Sequence, residues 1–132
     1  MKRDMEDNKY YTPDIEDLYI GYRCETYNAM NGEWVTDTLN GYNIQELYMT
    51  IESVLSVYIK TKYLDKEDIE SLGWVWSEQH GWYTFGENQE WLMVIGTTVP
   101  LWVNVWNDQG GWYQGECKSI NELRKLIKWL NI

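Results

Sequence analysis

The sequence has little of what metal sites and catalytic sites usually require. Its 132 residues contain one histidine, His80, and two widely separated cysteines, Cys24 and Cys117. No CxxC, HxxxH or HExxH spacing occurs, so we expect no zinc site. No Gly-rich phosphate loop of the GxxxxGK[ST] or GxGxxG type occurs either. We therefore predict no cofactor, no metal and no catalytic residue, and we assign His80, beside Gly81, to a turn.

Long apolar runs are also missing. None approaches the roughly 18 residues of a membrane-spanning helix, and the sequence opens on charged residues rather than on a signal peptide. We therefore expect a cytoplasmic protein with reduced, partly buried cysteines. Repeats and linkers are absent as well, so we predict a frayed tail at residues 1–9 and a single domain over residues 10–132.

Positive charge is scarce. The chain has 11 basic against 21 acidic residues, a formal charge of −10, and residues 63–117 carry 1 basic and 9 acidic groups. This balance argues against direct binding to a nucleic-acid backbone. Residues 118–132 are an exception, with 4 basic groups and 1 acidic group. The acidic runs around Asp14 and Asp65 are read as solvated surface, although carboxylates beside aromatic rings leave an enzyme acting on a glycan as a last alternative.

Tryptophan and tyrosine are abundant instead. There are 9 Trp and 11 Tyr residues but only one Phe. A buried Trp or Tyr needs a partner for its polar end, so these rings suit surfaces that are partly dry and partly wet. Interfaces and ligand sites are such surfaces.

Hydrophobic periodicity predicts an α+β fold with a mostly antiparallel, twisted sheet of about six to eight short strands. Alternation indicates strands near 18–25, 34–39 and 57–63 and a C-terminal meander. In the first of these strands, the apolar side is Leu18, Ile20, Tyr22 and Cys24. The meander has strands at 74–79, 82–85, 90–96, 101–106 and 111–117.

Helical spacing predicts two amphipathic helices on one face of this sheet. The first carries Ile44, Leu47, Tyr48, Ile51, Val54 and Leu55, and Asn43 is expected to cap it. The second begins with a capping box of Ser119 and Glu122 and carries Ile120, Leu123, Leu126, Ile127 and Leu130. A short helix near 65–72 is capped by Asp65 and closed by Gly73.

Alternation in the meander predicts two chemically different faces. Leu101, Val103 and Val105 share an aliphatic face beneath the helices. The opposite face is expected to carry the candidate ligand- or partner-binding residues Trp74, Trp76, Trp82, Trp91, Trp102, Asn104, Trp106, Trp112 and Gln114. Five to seven indoles would form a patch of roughly 1,000 Å², more than the roughly 300–600 Å² usual on a monomer. Either a sandwich core or subunit interface covers that face, or it is a binding platform.

Three stretches resemble an uncharacterised family of small proteins encoded by phages and prophages of Bacteroides-type gut bacteria. They are KYYTPDIEDLYIGYRCE (9–25), KYLDKEDIESLGW (62–74) and SINELRKLIKWLNI (119–132). The chain departs from that pattern by extra residues before Tyr10 and by its tryptophan-rich 74–116 region. The resemblance implies a small accessory protein in an infected bacterial cytoplasm, and it assigns no active-site residue.

The leading hypothesis is a non-catalytic protein that binds and inhibits a host protein, such as a component of an antiphage defence system, through an acidic, aromatic-rich surface. One alternative is an oligomer that sequesters a small nucleotide by indole stacking, with Lys60, Lys62 or Arg23 meeting phosphate. A virion component or assembly factor is a further alternative. We expect a homo-oligomer and no membrane association.

Overall fold

The computed structural model describes residues 9–49 and 58–131 and has the predicted α+β fold. Strands predominate, and every strand pair is antiparallel. The strands form two sheets rather than the single sheet expected, and the chain divides into two compact units between Lys62 and Tyr63. The predicted tail at 1–9 lies outside the described residues, apart from Lys9.

Unit 1 is built on a four-stranded sheet of order β1-β4-β2-β3. Its strands are β1 (Tyr10–Tyr11), β2 (Arg23–Asn28), β3 (Glu33–Thr38) and β4 (Ile59–Lys62). A 3-10 turn at Ile15–Asp17 and helix α1 (Gly41–Tyr48) complete the described part. The predicted hairpin across the Asn31-Gly32 turn is confirmed by β2 and β3, which pair along their whole length.

Helix α1 is capped one turn earlier than predicted. The Asn40 side chain accepts from the Asn43 amide, and the Asn43 side chain accepts from the Asn40 amide, both at 3.0 Å. Asn40 is therefore the N-cap, and Asn43 is its reciprocal partner. The predicted apolar positions Ile51, Val54 and Leu55 lie outside the described residues.

The first strand begins later than predicted, at Arg23 rather than near Leu18. A turn around Gly21, whose φ is +98°, separates Leu18 from β2, and Ile20 is 72% exposed. Leu18, Tyr22 and Cys24 are buried as predicted. The alternation of β4 is confirmed because Ile59 and Thr61 face the core, where Thr61 Oγ1 hydrogen-bonds the Tyr22 hydroxyl at 2.8 Å.

Unit 2 is a meander in which each strand pairs with the next along the chain. Its elements, in order, are α2 (Lys66–Ser71), β5 (Val75–Ser77), β6 (Trp82–Phe85), β7 (Trp91–Ile95), β8 (Leu101–Asn107), β9 (Trp112–Cys117) and α3 (Ile120–Trp129). The five predicted strands are confirmed, with ends that differ by at most two residues.

Side chains cap the N-terminal ends of both α2 and α3. Asp65 accepts from the Asp68 amide at 2.8 Å, and Gly73 follows α2 with a φ of +98°. Ser119 caps α3, but it accepts from Asn121 rather than from Glu122, and the Glu122 carboxylate accepts from the Lys118 amide. Ser119 and Glu122 therefore both accept a backbone hydrogen bond at the helix start, but not from each other as a reciprocal capping box requires. Each accepts from the residue that precedes the predicted donor.

The core of unit 2 joins one sheet face to the apolar stripe of α3. Leu101, Val103 and Val105 are buried as predicted, and Leu123 of α3 is fully buried with them. Leu64 and Ile69 bring the short helix α2 into the same cluster. The sheet therefore has an inner face beneath these helices and an outer face on the other side.

Candidate functional site

The strand registers assign each side chain of unit 2 to the inner or the outer face. Tyr83 pairs with Met93, Met93 with Val105, and Val105 with Tyr113, so these four residues share the inner face. Leu92 pairs with Trp106, and Trp106 with Trp112, on the outer face. Cross-strand partners always share a face, because side chains alternate along each strand.

This register removes Trp91 and Trp74 from the predicted binding face. Trp91 shares the inner face with Met93 and is buried, and its ring packs where a Cβ on Gly111 would lie. Trp74 precedes β5 and is only 2% exposed, with its ring centroid 5.1 Å from that of Phe85. The prediction is wrong for both because alternation groups residues within a strand but does not say which group faces the core.

Trp76 is also on the inner face, because it pairs with Tyr83. It lies at the edge of the sheet, 39% exposed, beside an open cavity of about 480 Å³. The Lys66 ammonium lies 5.5 Å from the centroid of its ring. This arrangement is a local cation–π contact, and Trp76 therefore does not belong with the outer indoles.

Six of the predicted site residues do share the outer face of the sheet. We call this set the tryptophan face: Trp82, Trp102, Asn104, Trp106, Trp112 and Gln114. Trp102 is 52% exposed and Trp112 is 59% exposed. Trp82 and Trp106 are partly covered. The prediction of an aromatic outer face is thus confirmed for four of seven indoles.

Ring contacts and two side-chain hydrogen bonds order the tryptophan face. Trp82 and Trp106 meet edge to face at a centroid distance of 6.1 Å. The imidazole of His80 stacks on Trp82 at 4.8 Å, with an interplanar angle of 3°, and Ser77 Oγ hydrogen-bonds His80 Nδ1 at 2.9 Å. Trp112 Nε1 donates to Asn104 Oδ1 at 3.2 Å. These contacts hold the rings of Trp82, Trp106 and Trp112 in place before any partner arrives.

Sequence reasoning placed His80 in a turn, which is confirmed, but it missed the stacking role. The signal was available, because a turn residue two positions before a strand tryptophan can lie over that ring. His80 thereby extends the row of rings to the edge of the face.

The tryptophan face lies in a part of the chain without positive side chains. From Glu67 to Cys117 there is no lysine or arginine, whereas Trp74–Cys117 contains five carboxylates: Glu78, Glu87, Glu90, Asp108 and Glu116. Glu116 pairs across strands with Trp102, so its carboxylate lies beside the more central of the two exposed indoles. The register thus places one carboxylate, that of Glu116, on the face, and no strand of this sheet contains a lysine or arginine.

A second feature, a cavity between β9 and α3, was not predicted. Its volume is about 380 Å³, and it is lined by Tyr113, Glu116, Cys117, Glu122, Lys125, Leu126 and Trp129. The Tyr113 hydroxyl donates to the Glu116 carbonyl at 3.1 Å, and burial raises the pKa of this phenol. Gly115 makes that reach possible, since a Cβ there would lie 2.7 Å from the Tyr113 hydroxyl.

The positive residues of the nucleotide hypothesis belong to unit 1. Arg23, Lys60 and Lys62 share the outer face of its sheet, because Glu25 pairs with Lys60 and Tyr10 with Lys62. The Lys60 ammonium lies 4.3 Å from the Tyr10 ring centroid and 4.4 Å from the Trp34 ring centroid. Its charge is thus already enclosed between two rings.

Within the described residues, no group of three His, Cys, Asp or Glu side chains could hold a metal ion. Among the helices in those same residues, none is long and apolar enough to span a membrane. Searches of protein-family models, curated proteins and solved structures found no match to the chain.

Proposed function

We propose that the chain is a non-catalytic binding protein that inhibits a host protein by docking the tryptophan face onto a basic surface. The observation that carries this proposal is the exposure of Trp102 and Trp112 beside the Glu116 carboxylate, on a sheet whose strands contain no lysine or arginine. The resemblance to phage-encoded accessory proteins supplies the setting, an infected bacterium, and a defence component is the target we favour.

The exposed area suits a compact docking site. An indole side chain has about 150–250 Å² of surface, so two that are more than half exposed contribute roughly 200 Å². This is smaller than the patch expected from seven indoles, and it does not by itself require a second subunit to cover it. Tryptophan is among the residues that most often dominate binding energy at interfaces, where a few side chains suffice.

Charge indicates the chemistry of the partner. Arginine and lysine side chains bind the faces of indole rings and pair with carboxylates such as Glu116. With no cation of its own in the meander, the tryptophan face leaves both kinds of contact for a partner. A complementary basic surface would also accelerate association at low salt.

The nucleotide alternative has less support. It requires cations that can meet phosphate, and Lys60, one of its three candidates, is already enclosed between the rings of Tyr10 and Trp34. The expected homo-oligomer and the alternative of a virion component stay predictions, which light scattering and co-purification with particles would test.

The test compares proteins retained from a Bacteroides-type host by the immobilised wild-type chain and by variants. The Trp102→Ala/Trp112→Ala double variant should retain the target at least about tenfold less, because exposed interface tryptophans contribute about 2 kcal/mol or more each. Glu116→Lys should weaken retention as well, and raising NaCl from about 0.05 M to about 0.5 M should have a similar effect.

Tyr42→Ala is the matched control, because Tyr42 is an aromatic residue of unit 1 that is 82% exposed. The target retained by the wild-type chain should then be inhibited in its own assay by wild type and by Tyr42→Ala, but not by the double variant. Equal retention and inhibition by the double variant and the control would contradict the proposal.

A further inference from the structure

Strand β9 is the last strand of the unit 2 sheet, so one of its edges has no neighbouring strand in that sheet. Asn107 and Gly111 are the next opposite residues beyond the pair of Trp106 and Trp112. The Asn107 amide donates to the Gly111 carbonyl at 3.1 Å, so this pair is hydrogen-bonded and fixes the direction of the backbone groups along β9. Hydrogen-bonded and non-hydrogen-bonded pairs alternate in an antiparallel ladder. In the observed register, Tyr113, Gly115 and Cys117 therefore bond to β8.

The N–H and C=O groups of Trp112, Gln114 and Glu116 consequently point away from β8, to the open edge. In the described parts of the chain, the backbone groups of Trp112 and Gln114 on this edge have no hydrogen-bond partner, and the Glu116 carbonyl accepts only from the Tyr113 hydroxyl. Just past β9, the Lys118 carbonyl accepts from the Leu64 amide at 2.8 Å, which ends the open stretch at Glu116.

The edge also lacks three features that commonly block strand addition. Natural edge strands are commonly protected by lysine, proline or a bulge. The sequence of β9, WYQGEC, contains neither lysine nor proline, and its pairing with β8 continues without a bulge over six residues. A strand with these properties is a template for another extended chain.

Different surfaces flank the two sides of this edge. On the outer side are the Trp112 ring and the Glu116 carboxylate, at the border of the tryptophan face. On the inner side is the cavity of about 380 Å³ between β9 and α3, with Leu126 and the exposed ring of Trp129. An added strand would direct alternate side chains to the two sides.

We propose that β9 pairs with an extended segment of the partner protein, which alternates basic residues over Trp112 and Glu116 with apolar residues in the cavity beside α3. This inference rests on the proposed function and specifies how the partner is recognised. A second copy of the chain is a poorer occupant, because each copy carries a formal charge of −10 and its meander brings no cation to the outer side.

The probe is a blocked seven-residue peptide with arginine at its odd positions and valine at its even positions, titrated into the ¹⁵N-labelled full chain. We expect saturable shifts confined to β9, its flanking tryptophan face and α3, and at least about tenfold slower exchange of the Trp112, Gln114 and Glu116 amides. A peptide with glutamate in place of arginine should bind at least about tenfold more weakly. Absence of saturable binding by the arginine peptide would overturn the inference.

Gln114→Pro separates strand pairing from general surface binding. Proline removes the N–H that points to the open edge and is tolerated there, because that N–H is not used by β8. Gln114→Pro should abolish binding of the arginine peptide, whereas Gln114→Ala, which loses the same side chain but keeps the N–H, should bind at least about tenfold more tightly than Gln114→Pro. Thermal unfolding of both variants verifies that the fold is kept, and unaltered binding by a folded Gln114→Pro chain would refute strand pairing.

Two further outcomes are decisive. If Trp102→Ala/Trp112→Ala loses the host protein while folded Gln114→Pro retains it, the proposed function stands and strand addition at β9 is wrong. If light scattering shows a dimer that Gln114→Pro converts to a monomer, β9 pairs with a second copy, and the inference of a separate partner segment is overturned.

Discussion

Both sheets of this chain carry aromatic side chains on their outer faces. They differ in whether a cation of the chain lies against those rings. In unit 1, the ammonium of Lys60 lies between the rings of Tyr10 and Trp34, within 4.4 Å of both centroids. In unit 2, Trp102 and Trp112 lie more than half exposed, in a meander without a lysine or arginine. The first face places a cation against two of its rings, and the strands of the second contain no cation that could do so. Aromatic content alone therefore does not distinguish the two faces, whereas the presence or absence of a cation beside the rings does.

The largest expected effect concerns the difference between core and surface indoles in unit 2. Trp91→Ala should lower the free energy of unfolding by about 3–5 kcal/mol, because it removes a buried ring and leaves a cavity. Trp102→Ala should change it by less than about 1 kcal/mol. Urea denaturation followed by circular dichroism measures both. Similar costs for the two variants would show that the assigned faces of β7 and β8 are wrong.

The two units are alike in their buried thiols, which provides a second test. Burial raises the pKa of the Cys24 and Cys117 thiols from 9.0 to about 12, with a smaller contribution from nearby carboxylates. Between these values the unfolded chain loses thiol protons that the folded chain keeps. The free energy of unfolding should therefore fall by about 1.4 kcal/mol per thiol for each pH unit above 9.

Denaturation at pH values from 8 to about 11 measures this slope. Cys24→Ala/Cys117→Ala is the control and should show a shallower slope, because it has no thiols to lose protons. Some slope should remain, since burial also raises the pKa of Tyr22 and Tyr83, which the control keeps. Both thiols should resist alkylation at pH 8 until the chain is unfolded. Rapid alkylation of the native chain would contradict their burial.

Removing the cation of unit 1 should make its outer face resemble that of unit 2. Lys60→Met keeps a long side chain but loses the charge between Tyr10 and Trp34, and should cost about 1–2 kcal/mol. Lys60→Arg should stay close to wild type, because a guanidinium also binds ring faces. Thermal unfolding measures both variants, and equal stability of Lys60→Met and wild type would show that the ring contacts contribute nothing.

The smallest expected effect comes from the reverse change, which adds a cation to the tryptophan face. Val94 is 41% exposed and pairs with Asn104 on the outer face. Val94→Lys should change stability by less than about 1 kcal/mol but should reduce retention of the basic partner. Val94→Gln, polar but uncharged, is the control. Equal retention by the two variants would argue that the charge of this face does not select the partner.

Periodicity predicted the strands of unit 2 well because each is short and the first four are followed by loops that contain glycine, at Gly81, Gly86, Gly96 and Gly110-Gly111. The Leu101, Val103 and Val105 face and the caps at Asp65 and Ser119 follow from local chemistry in the same way. Such signals depend only on neighbouring residues, which a sequence displays directly.

The errors on the tryptophan face concern information that local patterns do not contain. Trp91 alternates with Leu92 whichever of them is buried, and only the pairing of Met93 with Val105 decides between the two possibilities. The open edge of β9, and the cavity beside it, depend on strand order and on where α3 packs. The division of the strands between two sheets is different, because one tryptophan lies in residues 1–62 and eight lie in residues 63–132. That change in composition coincides with the boundary between the units, but it does not show which strands pair.

The absence of lysine between Glu67 and Cys117 has a consequence for chemical control of the protein. No ε-amine is present on the meander, so acetylation, ubiquitination and amine-reactive cross-linkers have no target there. Trypsin likewise has no cleavage site between Lys66 and Lys118 and should release the whole meander as one fragment. Enzymes that modify lysine could therefore change the rest of the chain while leaving this surface chemically untouched.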